Sequence, residues 1–182
     1  MFAVPFEHYP RVEQHEEYKS MLLKQLWLNH NHTEHGMRTD FFHNDKEKII
    51  PAYYKIVTSA LDEYLQEIEG NVGFRLKICS MWYQMTSGGQ SHQVHTHGAT
   101  GLSCVWYLEF DPEVHKATTF YAPFHDPLSG DMIQHTPEVQ EGDLVVFPSF
   151  LMHEQEGNDS DKRRTIISFN IEGRPKPIMK YT

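Results

Sequence analysis

The chain has 182 residues, 39% of them hydrophobic and 13% aromatic, with a formal net charge of −9. That length suits one domain, read as a single unit over 1–182 with a helical front at 1–71 and a β-rich core at 72–172. The acidic balance excludes a binder of nucleic-acid backbones, which needs a basic face; no apolar run is long enough for a membrane helix, and the start "MFAVPFEHYPRVEQ" lacks the layout of a signal peptide.

Residues 13 to 28 place Tyr18, Met21, Leu22 and Leu26 at helical spacing. A second helix carries Tyr53, Ile56, Val57, Ala60, Leu61, Tyr64, Leu65 and Ile68 on one face, with Pro51 in its first turn and Gly70 at its end. Between them "NHNHTEHGMRTDFFHNDKEK" reads as a polar loop. Its His30, His32 and His35 form a second candidate metal cluster without a better ligand type in support. From Gly73 the period changes to short strands: "FRLKICSMWYQM", "GLSCVWYLEF", "KATTFYA", "DMIQHT", "DLVVF" and "RTIISFNI", separated by Gly-, Pro- and Asp-rich turns. The expected fold is mainly β (α+β): a double-stranded β-helix, or jelly roll, with two N-terminal helices packed on one face. Cys79 and Cys104 sit in apolar runs and read as reduced, buried residues of a cytoplasmic protein.

The stretch "SHQVHTHGATGLSCVWYLEF" at 91–110 puts His92, His95 and His97 at the mouth of a strand. Either these imidazoles hold a metal or the loop is merely rich in histidine. Period two puts His95 and His97 on one face. It also puts Ser103, Val105, Tyr107 and Glu109 on one face of the next strand, with Leu102, Cys104, Trp106 and Leu108 on the other. His153, after Pro148 and a short apolar segment, supplies a distant third imidazole. Arg164 opens "RTIISFN", sharing a face with Ile166 and Ser168. Three ligands on one side of a metal leave the other positions open, as in a non-haem iron oxygenase. A guanidinium in an apolar barrel needs an anionic partner, which a dicarboxylate would provide.

The ordered set "WYQ" (82–84), "GQSHQVHTHG" (89–98), "LSCVWYL" (102–108), "GDLVVFPSFLMH" (142–153) and "RTIISFN" (164–170) resembles the iron(II)- and 2-oxoglutarate-dependent dioxygenase superfamily. It is similar in particular to a small, prolyl-hydroxylase-like branch found in marine bacteria and phages. The resemblance spans residues 73 to 171. It implies His95, His97 and His153 as iron ligands, and Arg164 as anchor for the far carboxylate of 2-oxoglutarate. Tyr107, Gln84 and Ser168 would contact the same cosubstrate. Trp82, His92 and His125 would face the substrate, and Trp82, Tyr83, Trp106 and Phe120 are candidates for an aromatic lining of the barrel mouth. Segments 28–48 and 111–137 would shape selectivity, with His115 and His135 as loop residues.

Three departures stand out. His97 stands where most of the superfamily has Asp or Glu, Gly98 where the branch has Pro, and Cys104 where it has Gly. The resemblance implies Fe(II), 2-oxoglutarate and O₂, with ascorbate as an optional addition, and yields succinate and CO₂ beside a hydroxylated protein, peptide or small molecule. The oligomeric state would be monomer or homodimer. Two alternatives stay open: a cupin-like three-histidine dioxygenase that binds its substrate directly, and a non-catalytic jelly-roll module with a structural metal.

Overall fold

The computed structural model describes residues 6–28, 33–34, 37–41, 50–157 and 160–175. Eleven strands are described: β1 (Glu7–Tyr9), β2 (Thr33–Glu34), β3 (Met37–Thr39), β4 (Phe74–Thr86), β5 (His92–His95), β6 (Leu102–Glu109), β7 (Thr118–His125), β8 (Met132–His135), β9 (Leu144–Pro148), β10 (Met152–Gln155) and β11 (Arg164–Pro175). Among the described residues two helices with full bounds accompany them, α1 (His15–Leu28) and α2 (Tyr54–Val72). A seven-stranded sheet runs β1-β9-β6-β11-β4-β3-β2, and a four-stranded sheet runs β5-β10-β7-β8. Every described pairing is antiparallel. The molecule is mostly β, with the helices on one face of the large sheet and the small sheet on the other.

Alternation along the strands sorts the residues into two layers. Cys104, Trp106, Leu108, Leu144, Val146, Ile167 and Phe169 point to the helices and bury Leu22, Leu26, Val57, Leu61 and Ile68. Val105, Tyr107, Val145, Phe147 and Ile166 point between the sheets, where they meet Phe120 and Leu151. Trp106 and Tyr83 therefore belong to the helix-facing core, not to the barrel mouth. Trp82 and Phe120 take the interior.

Strict alternation fails once on β4. The β4–β11 register shifts between Asn170 and Ile171, so Asn170 faces Ser80 and Ile171 faces Ile78. The extra residue, Cys79, is left exposed rather than buried. Leu76 and Ile78 pack on the helix side before the bulge, Met81, Tyr83 and Met85 after it. The bulge thus turns Ser80, Trp82 and Gln84 toward the interior.

The helix ends differ from the expected ones. α2 begins after Tyr53, two residues past Pro51, and runs through Gly70. Gly73 closes it in the left-handed conformation (φ 70°), its N–H reaching Glu69 O at 3.2 Å. Met21 is 42% exposed, so α1 buries a narrower stripe than its spacing indicates. The segment between the helices is not all loop. β3 pairs with β4 through Arg38–Met85 and Thr39–Gln84. Buried Asp40 accepts from the Tyr53 hydroxyl (2.8 Å) and the Tyr83 amide (2.9 Å), tying β3 to α2 and β4. This holds Phe41 edge-on against Trp82 at 5.0 Å. His30, His32 and His35 lie outside the described residues.

Candidate metal centre

The small sheet assembles the three histidines. β10 pairs with β5 so that His153 lies opposite His95. His97 follows β5, its amide held by Ser149 O at 2.9 Å. The turn back to β6 needs glycine: Gly101 has φ 93°, and a Cβ there would sit 2.5 Å from Ile171 O. Gly98 has φ 132°, a conformation that proline cannot adopt.

One ring nitrogen from each of His95, His97 and His153 lies within 4.8 Å of the others. The opposite nitrogens fix the tautomers. His95 Nδ1 lies 2.7 Å from Gln93 O, and His153 Nδ1 lies 2.9 Å from Leu151 O. His97 Nδ1 lies 2.9 Å from Asn170 Oδ1. A backbone carbonyl oxygen only accepts, so Nδ1 of His95 and of His153 carries the proton and Nε2 presents a lone pair; with Asn170 Oδ1 toward its ring, His97 takes the same tautomer. Two of those lone pairs, on His95 and His97, face each other at 3.2 Å. Neutral imidazoles repel in that arrangement, and a cation between them removes the repulsion.

Burial keeps the cluster neutral, and at His97 and His153 the neighbouring imidazoles add to it. His97 is held down to about 4 and His153 to about 3, each first by burial. Burial also lowers His95. Neutral imidazole is the metal-binding form.

Arg164 opens β11 on the face it shares with Ile166 and Ser168, which border the imidazoles, and is fully buried. Nε, Nη1 and Nη2 all lack a hydrogen-bond acceptor. Its guanidinium lies 5.4 Å from the Tyr107 ring and 5.9 Å from that of Phe110. Burial lowers its affinity for its proton, opposed by Tyr107. A buried cation without an anion costs several kcal/mol. The interior therefore fits both implied groups: three convergent lone pairs for a divalent metal, and an unmatched guanidinium for a carboxylate.

The other expected residues divide. Gln84 and Ser168 are buried and line a narrow recess beside the three imidazoles, together with Thr118 and Ile166. Tyr107 donates its hydroxyl to Thr118 Oγ1 (3.0 Å) and accepts the Thr118 amide (3.2 Å). His92 joins the cluster without entering the converging set. Its ring stacks 4.0 Å from that of His95, and its Nδ1 meets the Gln84 amide nitrogen at 3.1 Å. Gln84 thus gives one amide hydrogen to His92. Burial first, then the charges of His95, His97 and Arg164, lower His92 to about 4.

Trp82 lies edge-on to His97 at 5.2 Å and lines an open cavity of about 860 Å³ with Met37, Phe41, His92, Val94 and Asn170. His125 is not brought to this place. It closes β7 opposite Met132, exposed, with Nδ1 on Gly130 O at 3.1 Å. His115 lies in the loop before β7, as expected, but is buried there and bonded to the Asp111 amide and Lys162 O. His135 lies in β8, edge-on to Phe6.

Sequence reasoning missed Thr118, Asn170, Met37 and Phe41. The first two are polar residues at interior positions of strands that were expected, so period two carried a signal for them. The last two sit in a segment whose polar composition hid a short strand.

A family model described as a 2OG-Fe(II) oxygenase matches residues 80–170. The chain belongs to that family. It is an oxidoreductase that uses iron(II) and 2-oxoglutarate, and its three histidines fit iron. No curated protein matches it. Similar solved structures include a Pseudomonas putida prolyl-4-hydroxylase (14% identity, 96% of this chain and 94% of that one, TM-score 0.61). HygX from Streptomyces hygroscopicus, with nickel and 2-oxoglutarate bound, is 12% identical over 98% of this chain and 86% of its own (TM-score 0.65). The epimerase SnoN, in complex with Fe³⁺, alpha ketoglutarate and nogalamycin RO, is 15% identical over 98% and 88% (TM-score 0.64). At these identities the likeness shows the double-stranded β-helix fold alone. No helix among the described residues is long and apolar enough to cross a membrane.

Proposed function

We propose that this oxygenase hydroxylates a protein or peptide side chain or a small molecule, with His95, His97 and His153 holding the iron and Arg164 holding the far carboxylate of 2-oxoglutarate. One observation carries the reading: three Nε2 lone pairs converge in the same interior as a fully buried guanidinium with no acceptor. When bound, iron and the keto acid supply the oxidising power drawn from O₂, and the keto acid leaves as succinate and CO₂.

The chain's own residues supply geometry and dryness. Arg164 offers a planar fork that matches a carboxylate in two hydrogen bonds. Thr118, which braces Tyr107, and Ser168 line the recess beside the imidazoles. Phe120 and Phe147 pack on His153, with ring centroids 5.8 and 4.9 Å away, and shed water from the inner side. The cavity bounded by Trp82, Phe41 and Met37 admits the substrate from the other side.

His97 in place of a carboxylate favours a second reading, a three-histidine dioxygenase that binds its substrate directly to the metal. Arg164 counts against it, since such an enzyme leaves the guanidinium without an anion. The test is turnover of 2-oxoglutarate by the Fe(II)-loaded protein, read as succinate formed with and without candidate peptides. The proposal expects slow succinate release without substrate, absent in Arg164→Met. Iron-loaded protein that forms no succinate under any condition contradicts it.

A further inference from the structure

The position that most of the superfamily gives to a carboxylate is here an imidazole, His97, and its surroundings match that change. His97 Nδ1 faces two oxygens at 2.9 Å, Asn170 Oδ1 and Ser103 Oγ. Ser103 donates its own proton to Asn170 Oδ1 at 2.8 Å and lies 2.9 Å from Ser149 Oγ. The Asn170 amide is clamped from its other end, where Nδ2 donates to Ser80 Oγ at 2.9 Å. The bulge at Cys79 is what brings Ser80 opposite Asn170.

The orientation of that amide decides which nitrogen of His97 is protonated. With Oδ1 toward the ring, the proton must sit on Nδ1, and Nε2 is free to bind a metal. With the amide reversed, its NH₂ would donate to Nδ1 and the proton would move to Nε2, which then cannot ligate. An aspartate at position 97 would meet that carbamoyl oxygen, an acceptor, where it needs a donor. We propose that Asn170 is the positioning residue of this site: its oriented carbamoyl oxygen holds His97 in the ligating tautomer and suits position 97 to imidazole rather than carboxylate. The inference rests on the reading of His97 as a metal ligand. The other two histidines use backbone carbonyls for the same purpose, so the third alone depends on a side chain that can be replaced.

The test has two readouts. The first is the tautomer of His97 in the metal-free protein, from long-range ¹⁵N–¹H correlation. The second is the dissociation constant for Co(II), followed by its visible d–d absorption. Wild type should show Nδ1–H at His97. Asn170→Leu should lose that preference and bind Co(II) roughly ten- to a hundredfold more weakly, the usual scale for a lost partner of a ligating histidine. Asn170→Asp keeps an acceptor and should restore both. Should Asn170→Leu fail to fold by circular dichroism, Ser80→Ala decides: it frees the amide and should give mixed His97 tautomers. An unchanged Nδ1–H signal in the folded variant, or Co(II) affinity equal to wild type, overturns the proposal. Wild-type protein that binds no Co(II) but shows the expected tautomers would overturn the metal reading and leave the role of Asn170 standing.

Discussion

Arg164→Met should make the cosubstrate-free protein more stable while it destroys cosubstrate binding. The guanidinium is fully buried and its three nitrogens find no acceptor. Isolated buried charges cost several kcal/mol even after relaxation, and apolar replacements of buried ionic groups often gain 1–4 kcal/mol. Against this stand the two ring contacts to Tyr107 and Phe110, worth about 0.5–2 kcal/mol together. Methionine keeps the length and can follow the same path. The midpoints of these ranges leave a net gain of about 1 kcal/mol, or roughly 2–4 °C in melting temperature for a chain of this size. With metal present, 2-oxoglutarate at a hundred times its dissociation constant should add about 2.7 kcal/mol to wild type and nothing to the variant. Thermal and urea melts with and without the keto acid read both effects. A variant that is less stable than wild type without 2-oxoglutarate, and still stabilised by it, would refute the idea that Arg164 is a charge held for an absent anion.

Tyr107→Phe removes the hydroxyl that serves both Thr118 groups, leaving a buried amide unpaired; a loss of about 1–3 kcal/mol by urea melt and a weaker 2-oxoglutarate affinity by calorimetry are expected. Metal affinity should change less than about tenfold between pH 7.5 and 5.5, because His97 and His153 stay neutral down to about 4 and about 3; three imidazoles titrating near 6.5 would lose roughly a thousandfold at pH 5.5. The folded metal-free protein then binds fewer protons than the unfolded chain below pH 6.5, so its stability is full above that pH and falls as pH drops toward 4, as acid melts should record. Gly101→Ala forces a Cβ to 2.5 Å from Ile171 O at φ 93° and should cost at least about 1–3 kcal/mol, with a lowered melting temperature and weakened metal binding.

Much of this architecture was legible because its signals are local and periodic. The alternation in "LSCVWYLE" sorts Val105 and Tyr107 from Cys104 and Trp106, and the structure keeps that division. The spacing of Val57, Leu61 and Ile68 gave the face of α2. What the sequence hid came from three physical sources. A bulge has no mark of its own, so the turn of Ser80, Trp82 and Gln84 to the interior could not be read from strict alternation. A short strand such as β3 lacks the length to establish a period, and Met37 and Phe41 were lost with it. Side-chain partners across strands, such as Asn170 with His97 or His92 with Gln84, depend on register between segments far apart in the chain. Trp106 and Tyr83 show the converse: aromatic character alone does not say which side of a sheet a residue faces.

The most direct measurement is visible absorption under anaerobic conditions, with Fe(II) added to the metal-free protein and then 2-oxoglutarate. A charge-transfer band of the chelated keto acid should form in wild type, weaken in Arg164→Met, and be absent in His153→Ala. Iron bound in wild type with no such band would contradict the assignment of these residues to an iron and 2-oxoglutarate site.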